Sequence, residues 1–400
     1  MANILIVASE FLPMQSSGIN RVSFFKRFLE SQGHRISVLT TSSSAQGYAV
    51  NLKLDEENNV SRSFSLSKLH RRLLSSRRLP LYPTLAHTGK YATWKFSAIN
   101  KGKKLVKALN IDCIFVSFPD FSSMEVATEI AKKTSTRLDI DFRDPPYWFF
   151  SEPVNSAGLA TCKNIVNNAI ATCKNIYTST EQSKNILTSY YNLTQETTVI
   201  GNGYDRDIID NLPQRFNPHR DHIEIVHIGS FYPEGRDIMP LIKVLEDVSA
   251  SENKSFKLRL IGDPPSQEAI NQFNKVAQTI VISIEAPLPT KDALIEASNA
   301  DILLLIQGSI FNKQIPAKTY EYIALNNTVL AVIGLNGATQ KLLEQYPDNI
   351  NIADYDDSKS IKTALIESIS HQSTTIDTEK LSRQEQVKGL FPFYQGSYTN

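Results

Sequence analysis

The stretch that most limits what this chain can fold into runs from Ala300 to Leu335. Asp301–Ile306 reads as a short apolar, fully buried strand. A polar loop follows, and Pro316 opens a helix that runs through Leu325. Asn326-Asn327 break that helix before a second apolar run, Thr328–Ile333. A strand–loop–helix–strand unit places both strands parallel in one sheet. Its loop then falls at the carboxyl ends of the strands, where open α/β sheets bind ligands. The helix start adds unpaired N–H groups and a positive dipole end, which suits a phosphate. Lys318 adds a charge there, and Glu321, one turn in, can accept from sugar hydroxyls. The other reading is that Lys318 and Glu321 form an i, i+3 surface pair on an ordinary helix.

Four hundred residues suit two domains of about 150–200 residues each. With 41% hydrophobic residues, each has material for its own core. No stretch approaches the ~18 uninterrupted apolar residues of a membrane span. The N-terminus, M-A-N-I-L-I-V-A, starts with a strand-like run and lacks the pattern of a signal peptide, so a cytoplasmic protein is expected. Cys113, Cys162 and Cys173 have no metal-ligand spacing and the histidines no cluster. Packed thiols and no metal site are expected. Residues 1–200 hold 24 basic against 15 acidic side chains, a net +9, and the rest hold 18 against 26, a net −8. A basic first half fits an anionic partner such as a lipid phosphate or an acidic glycan; two halves of opposite sign docking on each other fits equally.

Taken in order, Asn3–Ala8 and Arg35–Thr40 read as strands around a helix, Asn20–Gln32. The loop between carries one glycine, Gly18, and not the G-x-G-x-x-G of a dinucleotide site, which argues against a nicotinamide oxidoreductase. Residues 41–97 interrupt the alternation of strands and helices. Within them, residues 62–80 interleave Arg62, Lys68, Arg71, Arg72, Arg77 and Arg78 with leucines, as a segment lying on anionic lipid would, or as a solvated helix with a core-facing stripe would. The strand over Thr136–Phe142 runs into D-F-R-D-P-P-Y-W, where Arg143 between Asp141 and Asp144 is either functional or an ion-pair clamp. I-G-N-G-Y-D (Ile200–Asp205) ends the first half, and a linker follows. The second half opens on I-E-I-V-H-I and G-S-F-Y-P-E-G-R-D, in which Gly229 permits close backbone approach and Arg236 at a helix start suits a diphosphate. A helix is expected over Thr378–Val387.

A-D-I-L-L-L-I-Q followed by I-P-A-K-T-Y-E-Y-I-A-L resembles the donor-binding signature of family-4-type retaining glycosyltransferases, and D-F-R-D-P-P-Y-W is similar to a D-F-R-D-P-x-W motif of one branch. The resemblance covers most of the chain. It implies a GT-B fold: two Rossmann-like α/β domains with parallel sheets facing a central cleft. Residues 1–205 would form the acceptor-side domain, with the tail from about 385 packing back on it, and 206–384 the nucleotide-sugar domain. It implies a metal-independent enzyme without cofactor, moving a sugar with retention from a nucleoside diphosphate-sugar to a glycan, lipid-linked or protein acceptor in surface glycan synthesis. Such an enzyme would sit in the cytoplasm or on the inner face of the membrane, and would have no nucleic-acid partner. Arg236, Lys318, Arg143 and Asp144 would be catalytic. Gly18, Gly229, Ser230, Glu285, Ala286, Leu288, Pro316, Ala317, Thr319 and Glu321 would bind the donor, the stretch from Glu285 to Leu288 through backbone contacts to the base. The chain departs from the family in three places. Lys313 stands where the first acid of E-x7-E belongs, Arg143-Asp144 where many relatives place His-Asp, and Ser230 where a basic pair begins. Two alternatives share the fold: a nucleotide-sugar epimerase, which turns over without an acceptor, and a non-catalytic partner subunit.

Overall fold

The computed structural model describes residues 1–14, 17–42, 59–65, 91–146, 156–216, 221–231 and 235–390. It divides into an N-terminal unit, Met1–Ile200 joined by the segment from Val387, and a C-terminal unit, Gly201–Gln386.

The N-terminal unit is a parallel sheet of β1 (Asn3–Val7), β2 (Arg35–Thr41), β3 (Val60–Ser63), β4 (Cys113–Phe118), β5 (Arg137–Phe142), β6 (Asn175–Thr178) and β7 (Thr197–Val199), in the order β3-β2-β1-β4-β5-β6-β7. Apolar residues on both faces of β1 make it a central strand: Leu5 and Val7 enter one core cluster, Ile4 and Ile6 the other. Val387 and Leu390 are buried in the second of these clusters. Asp120 caps the helix Phe121–Thr134 by accepting from the N–H groups of Ser122 and Ser123, and Thr180 caps Glu181–Tyr191.

The C-terminal unit repeats the plan with β8 (Ile223–Ile228), β9 (Phe256–Ile261), β10 (Val281–Glu285), β11 (Ile302–Gln307), β12 (Thr328–Ile333) and β13 (Ile350–Asp354), ordered β10-β9-β8-β11-β12-β13 and parallel throughout. Strand β11 is buried along its whole length. Ile302, Leu304 and Ile306 face one core and Leu303 and Leu305 the other. Each sheet changes direction of growth once, between β1 and β4 and between β8 and β11. Such a switch point leaves a crevice at the strand ends.

Several elements differ from expectation. Within the stretch expected to interrupt the pattern, Val60–Ser63 forms edge strand β3 beside β2. The helix after β11 begins at Ala317, so Pro316 is its cap residue and not its first turn. The helix Met239–Glu252 starts beyond Arg236, which lies in the loop before it. The expected helix over Thr378–Val387 is a short turn, Glu379–Leu381, and one helical turn, Arg383–Gln386. It is broken because Leu381 and Arg383 bond the backbone of Tyr204 on either side of Ser382. Residues 66–80 of the basic stretch, Tyr147-Trp148 and the aromatic tail from residue 391 lie outside the described residues. Among the described residues no helix is long and apolar enough to cross a membrane.

Candidate functional site

The switch point of the C-terminal unit gathers most of the expected site. The β8–β11 ladder stops at Val226–Leu303. Beyond it His227, fully buried, bonds the Leu304 carbonyl through Nδ1 at 2.9 Å. A carbonyl only accepts, so Nδ1 carries the proton and Nε2 presents a lone pair. Lys318 Nζ lies 3.1 Å from that Nε2 and donates to it. Burial, then the charges of Lys318 and Arg236, hold the His227 imidazole well below its ordinary pKa, so it stays neutral. Burial and Arg236 likewise push the Lys318 ammonium well below its ordinary value, with Glu321 opposing.

Gly229 makes this contact possible. At φ +134° it adopts a backbone that other residues avoid, and a Cβ there would stand 2.6 Å from Lys318 Nζ. Arg236 is oriented by donating from Nη1 to the Ser230 carbonyl at 3.0 Å. Thr319, in the first turn of the helix Ala317–Ala324, is fully buried and its hydroxyl has no hydrogen-bond partner among the described residues. Among the described residues no side chain caps that helix. Lys318, Arg236 and an open helix start thus converge, and donors gathered in this way favour an anion.

Glu321 is not the surface partner of Lys318. It is largely buried and faces Arg383 at 3.8 Å, while Arg383 stands 3.9 Å from Asp205 and donates to the Asn202 carbonyl. Burial raises the Glu321 carboxyl, with Arg383 and Lys318 opposing. Ser230 Oγ donates to Asp263 at 2.6 Å. The Glu285 side chain is locked by Arg259 through two bonds of 2.7 and 2.8 Å, which hold its carboxyl below the usual range, and its carbonyl accepts from Gly262. Ala286 and Leu288 are exposed beyond the end of β10. Lys313 is half-buried in the loop after β11.

The N-terminal unit has a different crevice. A cavity of about 360 Å³ opens at the ends of β1 and β4, lined by Ser9, Glu10, Gly18, Tyr91, Asp120 and Arg143 among others. Gly18 lies in the first turn of the helix Ser17–Ser31, where a Cβ would come within 2.3 Å of Arg143 Nη1. Arg143 pairs with Asp144 at 3.0 Å. Asp141 belongs instead to a buried bidentate pair with Arg21, at 2.9 and 2.8 Å, and also accepts from Ser117. The Tyr91 hydroxyl donates to Glu10 at 2.9 Å.

Sequence reasoning missed His227, Arg383, Glu10 and Tyr91. One signal was there for His227: a titratable side chain in the apolar end of a strand, two residues before Gly229. Arg383 gave none, because only the chain's return brings it to Glu321. Among the described residues no group of three or more His, Cys, Asp or Glu side chains is placed to hold a metal ion.

No family model matches the sequence, and no curated protein matches it. Solved structures match across nearly the whole chain. UDP-GlcNAc 2-epimerase from Methanocaldococcus jannaschii aligns at 12% identity and a TM-score of 0.56, covering 98% of this chain and 99% of that one. Anabaena HepE in complex with UDP and glucose aligns at 12% identity and 0.61, over 98% and 94%. The N-terminal domain of Candida albicans trehalose-6-phosphate phosphatase aligns at 13% and 0.64, over 98% and 93%. Other neighbours also carry the name UDP-GlcNAc 2-epimerase. These likenesses establish a GT-B-like fold of two Rossmann-like units with parallel sheets. They overturn the expected assignment to retaining family-4 glycosyl transfer, since the neighbours named for a reaction on a UDP-sugar are epimerases.

Proposed function

We propose that this chain binds a nucleoside diphosphate-sugar, with the diphosphate in the C-terminal crevice, and changes the configuration of the sugar without an acceptor, as a nucleotide-sugar epimerase. The observation that carries the reading is the convergence of Lys318, Arg236 and the start of Ala317–Ala324 beside Gly229. A diphosphate would bring negative charge to these donors. Donors fixed around it also stabilise charge that develops on the phosphate when the bond to the sugar weakens. Glu321, at the inner end of the same helix turn, is the acceptor proposed for the ribose hydroxyls. UDP is the first nucleotide to test, since HepE is described with UDP.

Purified chain incubated with UDP-GlcNAc alone in deuterated water provides the test. Proton removal and return at a sugar carbon would place deuterium in the sugar, and proton NMR would show that signal fading and an epimer appearing. Bound UDP with an unchanged, undeuterated sugar sinks the epimerase reading; no binding of UDP or UDP-GlcNAc sinks the nucleotide-sugar reading as a whole.

A further inference from the structure

We propose that His227 is the positioning residue of this anion site, and that diphosphate binding is coupled through it to proton uptake at Lys318. The inference rests on the reading above for the ligand, but on its own geometry for the coupling. His227 cannot turn: Nδ1 is held by the Leu304 carbonyl, the ring is fully buried, and Phe231 packs on it at 4.6 Å. Nε2 therefore points one way, and Lys318 Nζ is the group it meets. A neutral imidazole accepts from the lysine without supplying a counter-charge. It fixes where the nitrogen sits while leaving its positive charge uncompensated.

The other charged groups facing Lys318 act in opposite directions, with burial and Arg236 outweighing Glu321. Arg236, from the loop after β8, repels an added proton, and Glu321, from its own helix, favours one. Glu321 is itself divided between Lys318 and Arg383, with Asp205 beyond. In the free protein Lys318 is thus held ready to lose its proton, and an arriving diphosphate restores it. Affinity should fall as pH rises through the titration of Lys318 in the free protein, because the ligand must then bring a proton with it. The proton returns to solvent when the ligand leaves, and no covalent step is involved.

Calorimetric titration of the full chain with UDP, in two buffers of different ionisation heat between about pH 7 and 9, measures the uptake directly. Lys318→Arg serves as the control, because arginine does not titrate and any proton exchange it shows belongs to UDP itself. The expected result is uptake by the native chain in excess of the control, with UDP affinity falling with pH more steeply than in Lys318→Arg. His227→Leu should weaken UDP ~10-fold and move the pH break downward, since the ammonium loses its acceptor; His227→Gln, which keeps an acceptor, should restore most of both. Were His227 only a prop for the Leu304 carbonyl, the leucine variant would lose stability and keep the native pH profile. UDP binding with pH dependence equal to the control overturns the coupling and leaves the nucleotide-sugar reading standing; absent UDP binding at every pH overturns that reading instead. Should His227→Leu fail to fold, the native and Lys318→Arg titrations still decide.

Discussion

The two switch points are built on the same topology and treat charge in opposite ways. In the N-terminal unit two arginines near the crevice, among the described residues, have carboxylates: Arg21 meets Asp141 and Arg143 meets Asp144. Two further carboxylates, Glu10 and Asp120, line the cavity. In the C-terminal unit Lys318 donates to the neutral His227, Arg236 donates to a carbonyl, and Glu321 faces Arg383. The strand order alone therefore does not choose the ligand. What chooses it is whether the first polar residues past the strand ends neutralise one another. The first crevice suits hydroxyl groups and the second suits an anion.

The largest effect that tests this contrast is on folding. Asp141→Ala strands the buried Arg21 guanidinium and should cost about 3–5 kcal/mol in the denaturant-induced unfolding of the N-terminal unit. A loss under about 1 kcal/mol would mean the pair is not the support described. Next comes ligand binding. Lys318→Ala and Arg236→Ala should each weaken UDP by roughly 10–100-fold in calorimetry, about 1.5–3 kcal/mol, the range for a charge-assisted bond. Arg143→Ala, whose charge Asp144 already answers, should change UDP affinity by less than about threefold; equal losses at all three positions would erase the distinction.

A third effect appears with acid. The unfolded chain protonates His227 below about pH 6.5, while the native chain resists doing so. The unfolded state then binds more protons, and stability should fall as pH drops, by up to about 1.4 kcal/mol per pH unit from this group, until the native imidazole also titrates. His227→Gln should flatten that slope in melts followed across the acid range. The smallest effect belongs to Asp120. Losing its cap on Phe121–Thr134 should cost about 1 kcal/mol in the same unfolding measurement, against a negligible change if its carboxylate served only the cavity.

Much of the fold was legible because β11 and β12 are long enough apolar runs to be buried on both faces. Gly229 stood out because it ends β8, and Lys318 because it puts a charge on the helix between β11 and β12. Edge strand β3 was hidden by its sequence, since V-S-R-S has one apolar residue and lies beside a basic, leucine-rich stretch. Arg236 was found but misplaced, because Met239-Pro240 start the helix later than its charge suggests. Glu285 was chosen for its position at a strand end, and nothing near it in sequence shows that Arg259, on the neighbouring strand, claims its carboxylate. Pairings of this kind join residues 26 positions apart or more, and local pattern carries no trace of them.

Val387 and Leu390 fill part of the same core as Ile4, Ile6 and Phe115. During synthesis the first unit must therefore wait, incomplete, while the whole of the second is made. A nascent chain halted before residue 387 would carry an apolar gap beside its oldest strand, the kind of surface that chaperones hold and aggregates recruit. The order of translation and the order of folding cannot coincide in this protein.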